Sequence, residues 1–237
     1  MTRPRGFTLI ELMIVVSIIA IIASIAIPQL LRSRISSNEV TAIGTLTTLR
    51  TVQAQFQQAL CVDQNTNGIG EYGLLEELAG AINSRGRTSA RTPGEFISQE
   101  LGAVDANGIA SKAGYDFLVY LPTNAGTAKS EGAIGTGGTA VSADGPVQEV
   151  MWCCYAWPVS RTQTGNRAFC VNQTGTVYQT ANDATNQLYS GTTVIPAVSA
   201  AFIAVAGNPP IANCGGRFPK LGTTEKGADG GVWVPAS

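Results

Sequence analysis

The side chains able to do chemistry are few in this chain, and one type is missing altogether. Its 237 residues contain no histidine, which removes the usual general base, the usual zinc nitrogen ligand and every serine–histidine or cysteine–histidine nucleophile pairing. No paired carboxylates or metal cluster offset that loss, so the chain is read as a non-enzyme. The five cysteines, Cys61, Cys153, Cys154, Cys170 and Cys214, all lie beyond a long apolar segment, where an exported domain meets an oxidising compartment. They allow at most two disulfides. Adjacent Cys153 and Cys154 point to opposite faces if their segment is a strand, and so need different partners. The preferred bridge is Cys170 to Cys214, with the connectivity otherwise undetermined. No CxxC pair argues for zinc or redox work.

A second cluster is rich in oxygen. The run Asp63-Gln64-Asn65-Thr66-Asn67-Gly68-Ile69-Gly70-Glu71 places oxygen side chains at alternate positions, with a glycine where a calcium loop turns sharply. Asp63, Asn65, Asn67 and Glu71 are the candidate calcium ligands. The twelfth position, however, is Leu74 rather than a bidentate glutamate, leaving Glu71, Glu76 or Glu77 to reach back. The other reading is a polar connecting loop, since Asn, Asp and Gly are ordinary turn residues. No other cofactor is expected: the glycines of 123–146 lack the Gly-Lys-Ser/Thr ending of a phosphate-binding loop.

The third chemical signal is one charge in the wrong place. After Met1-Thr2-Arg3-Pro4-Arg5-Gly6, the hydrophobic run of residues 7–27 carries a single charge, Glu11, and contains neither Gly nor Pro. Such a run, about 20 residues long, spans roughly 30 Å as a helix, the thickness of a bilayer core. Arg3 and Arg5 hold the short leader in the cytoplasm, so the chain beyond Ile27 is exported. No small-residue cleavage site ends the run, so the segment is expected to be retained. A carboxylate inside it costs about 2.5 to 3.5 kcal/mol and needs a positive partner, unless it sits at the interface, solvated or favoured by the helix dipole.

The string Gly6-Phe7-Thr8-Leu9-Ile10-Glu11-Leu12-Met13 closely resembles the leader junction and helix start of type IV prepilins and type II secretion pseudopilins, and the match continues to Pro28. The resemblance implies cleavage after Gly6 by a prepilin peptidase and N-methylation of Phe7. It also implies that Glu11 neutralises the terminal amine of a neighbouring subunit during assembly, which would relieve two desolvated charges at once. Pro28 stands where family members carry a helix-weakening proline. It either kinks or melts a turn, or simply closes the membrane helix.

The elements that position these residues are read from periodicity and turn chemistry. Ile43, Leu46, Leu49, Val52, Phe56 and Leu60 recur at spacings of three and four, so 28–60 reads as an amphipathic continuation of the helix. From Phe7 to Leu60 the helix would be roughly 80 Å long. Ala20, Ala23, Ser24 and Ala26 allow sibling helices to approach closely. Residues 74–82 suggest a short helix, and 115–121 and 147–159 suggest strands. Residues 167–178 suggest a hairpin around Asn172-Gln173-Thr174-Gly175. Gly165 to Phe169 loosely resembles the terminal strands of pseudopilin heads. Thr92-Pro93-Gly94 marks a turn, and 123–146 reads as a long loop. Trp152 and Trp157 read as core or interface anchors. The apolar run 194–205, broken by Pro196, is assigned to an extra strand or a subunit contact. Asn172-Gln173-Thr174 also matches a glycosylation sequon, a pattern that often arises by chance.

The expected fold is therefore α+β: a long N-terminal helix packed on a small antiparallel sheet. Residues 1–6 form the leader, 7–27 the membrane and filament-core helix, 28–60 its amphipathic half, and 61–237 the extracytoplasmic head with a C-terminal extension. The expected function is a structural subunit of a type IV pilus-like filament, serving adhesion, motility or DNA uptake. The alternative is a pseudopilin of a type II secretion system, and a membrane-tethered enzyme or binding protein is a third class. The expected partners are copies of itself in a helical filament, the peptidase, the inner-membrane assembly machinery, and lipid before assembly. The precursor would be single-pass in the inner membrane, and the assembled form on the cell surface or in a periplasmic pseudopilus. Nucleic acid is not a default partner, because the net charge is −1 and only Arg85, Arg87 and Arg91 cluster. Those three would be the contacts of a DNA-binding subunit; otherwise they lie in a solvated loop.

Overall fold

The computed structural model describes residues 7–82, 85, 94–124, 128–130, 145–203, 214, 216–220 and 222–236. The expected leader with Gly6, Arg87 and Arg91, the turn residues Thr92 and Pro93, and most of the 123–146 stretch lie outside them.

Helix α1, Leu9–Gln58, is continuous for 50 residues, about 75 Å at the α-helical rise. Pro28 lies inside it, so of the readings offered by the sequence, neither a helix end nor a melted turn occurs there. The two halves of α1 meet different surroundings. From Phe7 to Leu30 the large apolar side chains are exposed, while Ala42, Leu46, Leu49, Val52 and Phe56 are buried at the spacing of one helical face. Two residues of the expected stripe differ. Ile43 is only partly buried. Leu60 falls past the helix end in a left-handed conformation, with φ of 51°.

Seven strands form one sheet beside the lower half of α1. They are β1 (Ala110–Lys112), β2 (Tyr115–Pro122), β3 (Ala128–Ser130), β4 (Cys153–Pro158), β5 (Ala168–Asn172), β6 (Tyr178–Thr180) and β7 (Val234–Pro235). The order is β1-β2-β4-β5-β6-β7, with β3 also pairing β2, and every pairing is antiparallel. Short helices α2 (Leu75–Leu78), α3 (Gln99–Gly102) and α4 (Gly145–Gln148) decorate it. The architecture is the expected α+β one.

Two strand readings are borne out and one is corrected. Residues 115–121 lie within β2, and β5 and β6 form the expected hairpin, with Ala168 opposite Thr180. The 147–159 segment is a strand only from Cys153; it begins within α4. The expected helix at 74–82 is confined to α2.

The sheet is covered on both faces. On one side α1 packs through Leu46, Leu49 and Phe56 against Tyr115, Phe117, Val119, Cys154 and Phe169. On the other, Leu118, Cys153, Tyr155, Trp157 and Cys170 meet Tyr189, Phe202, Cys214, Phe218 and Trp233. The C-terminal extension is thus the third layer of the domain. Burying each large side chain in such layers contributes about 1.5 to 3 kcal/mol. Residues 194–203, the described part of the 194–205 run, accordingly form no strand. The segment is irregular: Val194 bridges Ser190, and Ala200, Ala201 and Phe202 turn into the second core, where Ala201 N–H donates to the Tyr155 hydroxyl at 3.0 Å. Trp152 and Trp157 are core residues on opposite faces, and Asn172, inaccessible to a glycan, spends its side-chain oxygen on the N–H and hydroxyl of Thr174.

Candidate functional site

The N-terminal end of α1 is built around a capping box. Thr8 stands at the N-cap in an extended conformation, and its Oγ1 accepts from Glu11 N–H at 3.3 Å. Glu11 answers with Oε2, which accepts from Thr8 N–H at 2.9 Å and from the Thr8 hydroxyl at 2.6 Å. Two orphan donors of the helix start are thereby satisfied within one turn. The sequence pattern Thr-x-x-Glu carries this signal, although the residues that stand out there by their chemistry are Phe7 and Glu11. Both are exposed, at the head of an apolar surface whose most hydrophobic 18-residue window has a mean hydropathy of 2.8 and is not buried at all. The segment is long and apolar enough to cross a membrane.

The arginine cluster does not form a contact surface in the described residues. Arg85 is buried, with Nε 2.9 and 3.0 Å from the two Glu77 oxygens and Nη1 2.6 Å from Gln148 Oε1. It ties α2 to α4. It is therefore withdrawn as a nucleic-acid contact, and Glu77, engaged here, does not reach back to the 63–71 loop.

The cysteines are all free thiols in this structure. Cys153 and Cys154 do point to opposite faces, as alternation requires. Cys214 donates to the carbonyl of Tyr120 at 3.1 Å, and Tyr120 is the register partner of Cys153 across β2 and β4. Cys170 instead sits opposite Tyr155. The expected Cys170–Cys214 bridge is not formed. Burial pushes the Cys153 thiol well up, reinforced by its hydrogen bond with Cys214.

The 63–71 loop is a compact oxygen cage. Asp63 accepts from Asn67 N–H at 3.2 Å through Oδ1 and from Gly68 N–H at 3.1 Å through Oδ2. Asn65 Oδ1 shares that Asn67 N–H at 3.1 Å, and Asn67 Oδ1 takes Ile69 N–H at 2.8 Å. Gly68, at φ 83°, makes the left-handed turn, while Gly70 brings the loop against the end of α1, where a Cβ would lie 2.2 Å from the Gln57 carbonyl oxygen. Glu71 is fully buried: Oε1 accepts from Gln64 N–H at 2.9 Å, and Oε2 has no partner. Glu149, just past α4, enters from far along the chain. Its Oε1 accepts from the Asn65 and Asn67 side-chain amides at 2.6 and 2.9 Å. No sequence signal linked it to the loop. Among the described residues, no three acidic, Cys or His side chains converge to hold a metal by themselves, so any cation would need the asparagine oxygens as well.

Known proteins match the end that carries the cap. A family profile described as the prokaryotic N-terminal methylation motif covers residues 1–27. The chain carries a prepilin-type N-terminal methylation motif. It is also similar to the type IV major pilin protein PilA of Myxococcus xanthus, 52% identical over 54 residues, which is 23% of this chain and 24% of that protein. The type IV wide pilus major component PilA4 of Thermus thermophilus is 39% identical over 75 residues, 32% of this chain and 54% of that protein. The chain spans about a quarter and about half of these relatives' lengths. No solved structure matches the chain significantly.

Proposed function

We propose that this chain is a structural subunit of a type IV pilus-like filament, made as a single-pass inner-membrane precursor. A prepilin peptidase cuts after Gly6 and methylates Phe7, and copies then stack through α1, leaving heads outside. The observation that carries this reading is the exposed apolar surface from Phe7 to Leu30 on a helix that remains unbroken into the head. The same surface suits lipid before assembly and sibling helices afterwards, with Ala20, Ala23, Ser24 and Ala26 allowing close approach.

Glu11 supplies register. In the single subunit its carboxylate is held by Thr8; in the filament the methylated amine of a neighbour, still cationic, becomes an additional partner. An ion pair formed among packed helices discriminates one stagger from others, because a shifted neighbour leaves two desolvated charges apart. The relatives named as pilus components support the filament class.

The test is the intact mass and N-terminal sequence of native protein, taken separately from material sheared off cells and from the membrane fraction. A chain beginning at methylated Phe7 and abundant in the sheared fraction is expected. The same species confined to the membrane favours the pseudopilin reading, and a chain still beginning before Gly6 overturns both. In parallel, Gly6→Ala is expected to leave full-length precursor in the membrane.

A further inference from the structure

Loop 63–71 follows the first nine positions of a calcium loop in sequence, and its turn closes at the matching place. The chain turns at Gly68, the sixth position, and the Gly68 N–H closes onto Asp63, the first. Asn65 and Asn67 stand at the third and fifth positions, the Ile69 carbonyl falls at the seventh, and Glu71 at the ninth. What the sequence lacks is the acidic twelfth ligand, where Leu74 stands and is buried in the core.

The structure supplies that carboxylate from elsewhere. Glu149 reaches the side chains of both Asn65 and Asn67. The helix just before it begins at Gly145, where a Cβ would lie 2.8 Å from Glu71 Oε1 and 3.2 Å from Asn65 Nδ2. The two loop side chains therefore meet over a glycine of α4, and any larger residue there would fill the cage. Independently of the loop's own hydrogen bonds, Glu71 points to a missing ligand. It is fully buried, and one of its two carboxylate oxygens has no partner.

Charge leads to the same conclusion. Asp63, Glu71 and Glu149 lie around one loop without converging by themselves, and the ion pairs formed among the described residues, Arg85–Glu77, Arg167–Glu39 and Arg217–Glu225, use none of them. Arg85 draws Glu71 only at a distance, its own donors being taken. Three carboxylates with two neutral amide oxygens and a carbonyl suit a hard cation of high coordination number, and the irregular spacing suits calcium over magnesium, which demands a near-ideal octahedron.

We propose that Asp63, Asn65, Asn67, Glu71 and Glu149 form a calcium site, in which Glu149 replaces the absent twelfth ligand of the loop and fastens α4 to the end of α1. Asn65 and Asn67 turn their side-chain oxygens to the ion, and Glu149 exchanges two amide donors for it. The site lies on the head, apart from the assembly helix, and does not depend on the filament reading.

The test uses the full chain purified in detergent, with thermal unfolding followed by tryptophan fluorescence in calcium chloride, in magnesium chloride at the same concentration, and in chelator. Calcium is expected to raise the midpoint saturably, with magnesium well behind. Glu149→Gln and Glu71→Gln are expected to fold in chelator, as judged by circular dichroism, and to bind calcium about tenfold more weakly or worse by calorimetry. Asp63→Asn provides a second reading should either variant misfold. A wild-type midpoint equal in calcium and chelator overturns the proposal, as does a folded Glu149→Gln that binds calcium as tightly as wild type.

Discussion

The Glu39 carboxylate of α1 holds the Arg167 guanidinium across 128 residues of sequence, with Nε 2.8 Å and Nη2 2.7 Å from Oε2. Its other oxygen accepts from the N–H groups of Asn166 and Arg167 at 3.0 and 3.2 Å. The helix is thereby fixed to the segment that starts β5. Tyr115 completes the junction by donating its hydroxyl to the Arg167 carbonyl, and its own ionisation is pushed up by burial and by the Glu39 charge. Glu39→Ala strands two part-buried N–H groups as well as a half-exposed guanidinium. It should lower stability by about 2 kcal/mol, the scale of lost charged hydrogen bonds discounted for solvent at Arg167. Urea unfolding of the full chain in detergent checks it, and an unchanged midpoint would show that the apolar face of α1 alone seats the helix.

The position of Cys214 makes a covalent prediction. It donates to the carbonyl of Tyr120, which stands opposite Cys153, whereas Cys170 lies farther along the neighbouring strand opposite Tyr155. When purified, reduced protein is oxidised with glutathione disulfide, the bridge expected is Cys153–Cys214, two thiols giving two protons and two electrons to the oxidant. Peptide mapping without reduction reads the pairing. A Cys170–Cys214 peptide would restore the connectivity expected from the sequence.

Periodicity governs how much of the fold was legible in the sequence. The apolar run and the three-four spacing through Leu46, Leu49, Val52 and Phe56 announce α1 because one half is apolar and exposed and the other buries one face in a core. The β5–β6 hairpin is announced by Asn172 to Gly175. The outer layer is not legible, since its buried residues, Tyr189, Phe202, Phe218 and Trp233, are scattered through irregular chain with no common period. Nor is the 195–203 segment, held in place by irregular contacts such as Tyr155 with Ala201 rather than by any repeat. Within the candidate sites, Asp63 to Glu71 could be read from local spacing. Glu149 and Glu39 could not, because their partners lie 84 and 128 residues away.

Two buried carboxyls predict how stability changes with pH. Burial, with Asp63 adding, pushes Glu71 up. Burial also pushes Asp116 up, opposed by the Ser111 hydroxyl and assisted by Asp105. A raised folded value means the native state holds protons more tightly, so stability is full below the ordinary carboxylate range and is lost as pH rises through the raised values. In chelator the unfolding midpoint should therefore climb as pH falls from about 7.5 towards 5, and Glu71→Gln should flatten part of the climb. Glu225, held down to about 2 chiefly by its hydrogen bond from Arg217, acts in the opposite sense: its contribution is lost only as pH falls through that lower range. A midpoint that falls steadily from pH of about 7.5 to 5 in chelator would contradict the buried-carboxyl account.

The capping box separates two roles of Glu11 that a single substitution would confuse. Glu11→Ala removes both the cap on Thr8 N–H and the charge available to a neighbour's amine, while Glu11→Gln keeps an oxygen able to accept from Thr8. Both variants leave the proposed Gly6 junction intact, so on that proposal both should yield chains beginning at methylated Phe7. If the charge sets register, both should be nearly absent from sheared filaments while accumulating in the membrane. If the cap matters more, Glu11→Gln should assemble and Glu11→Ala should not. Thr8→Val, which breaks the cap and leaves the charge, should then give the converse result. Quantifying the three variants in sheared and membrane fractions decides between them, and assembly of Glu11→Ala at the wild-type level would remove Glu11 from the assembly mechanism altogether.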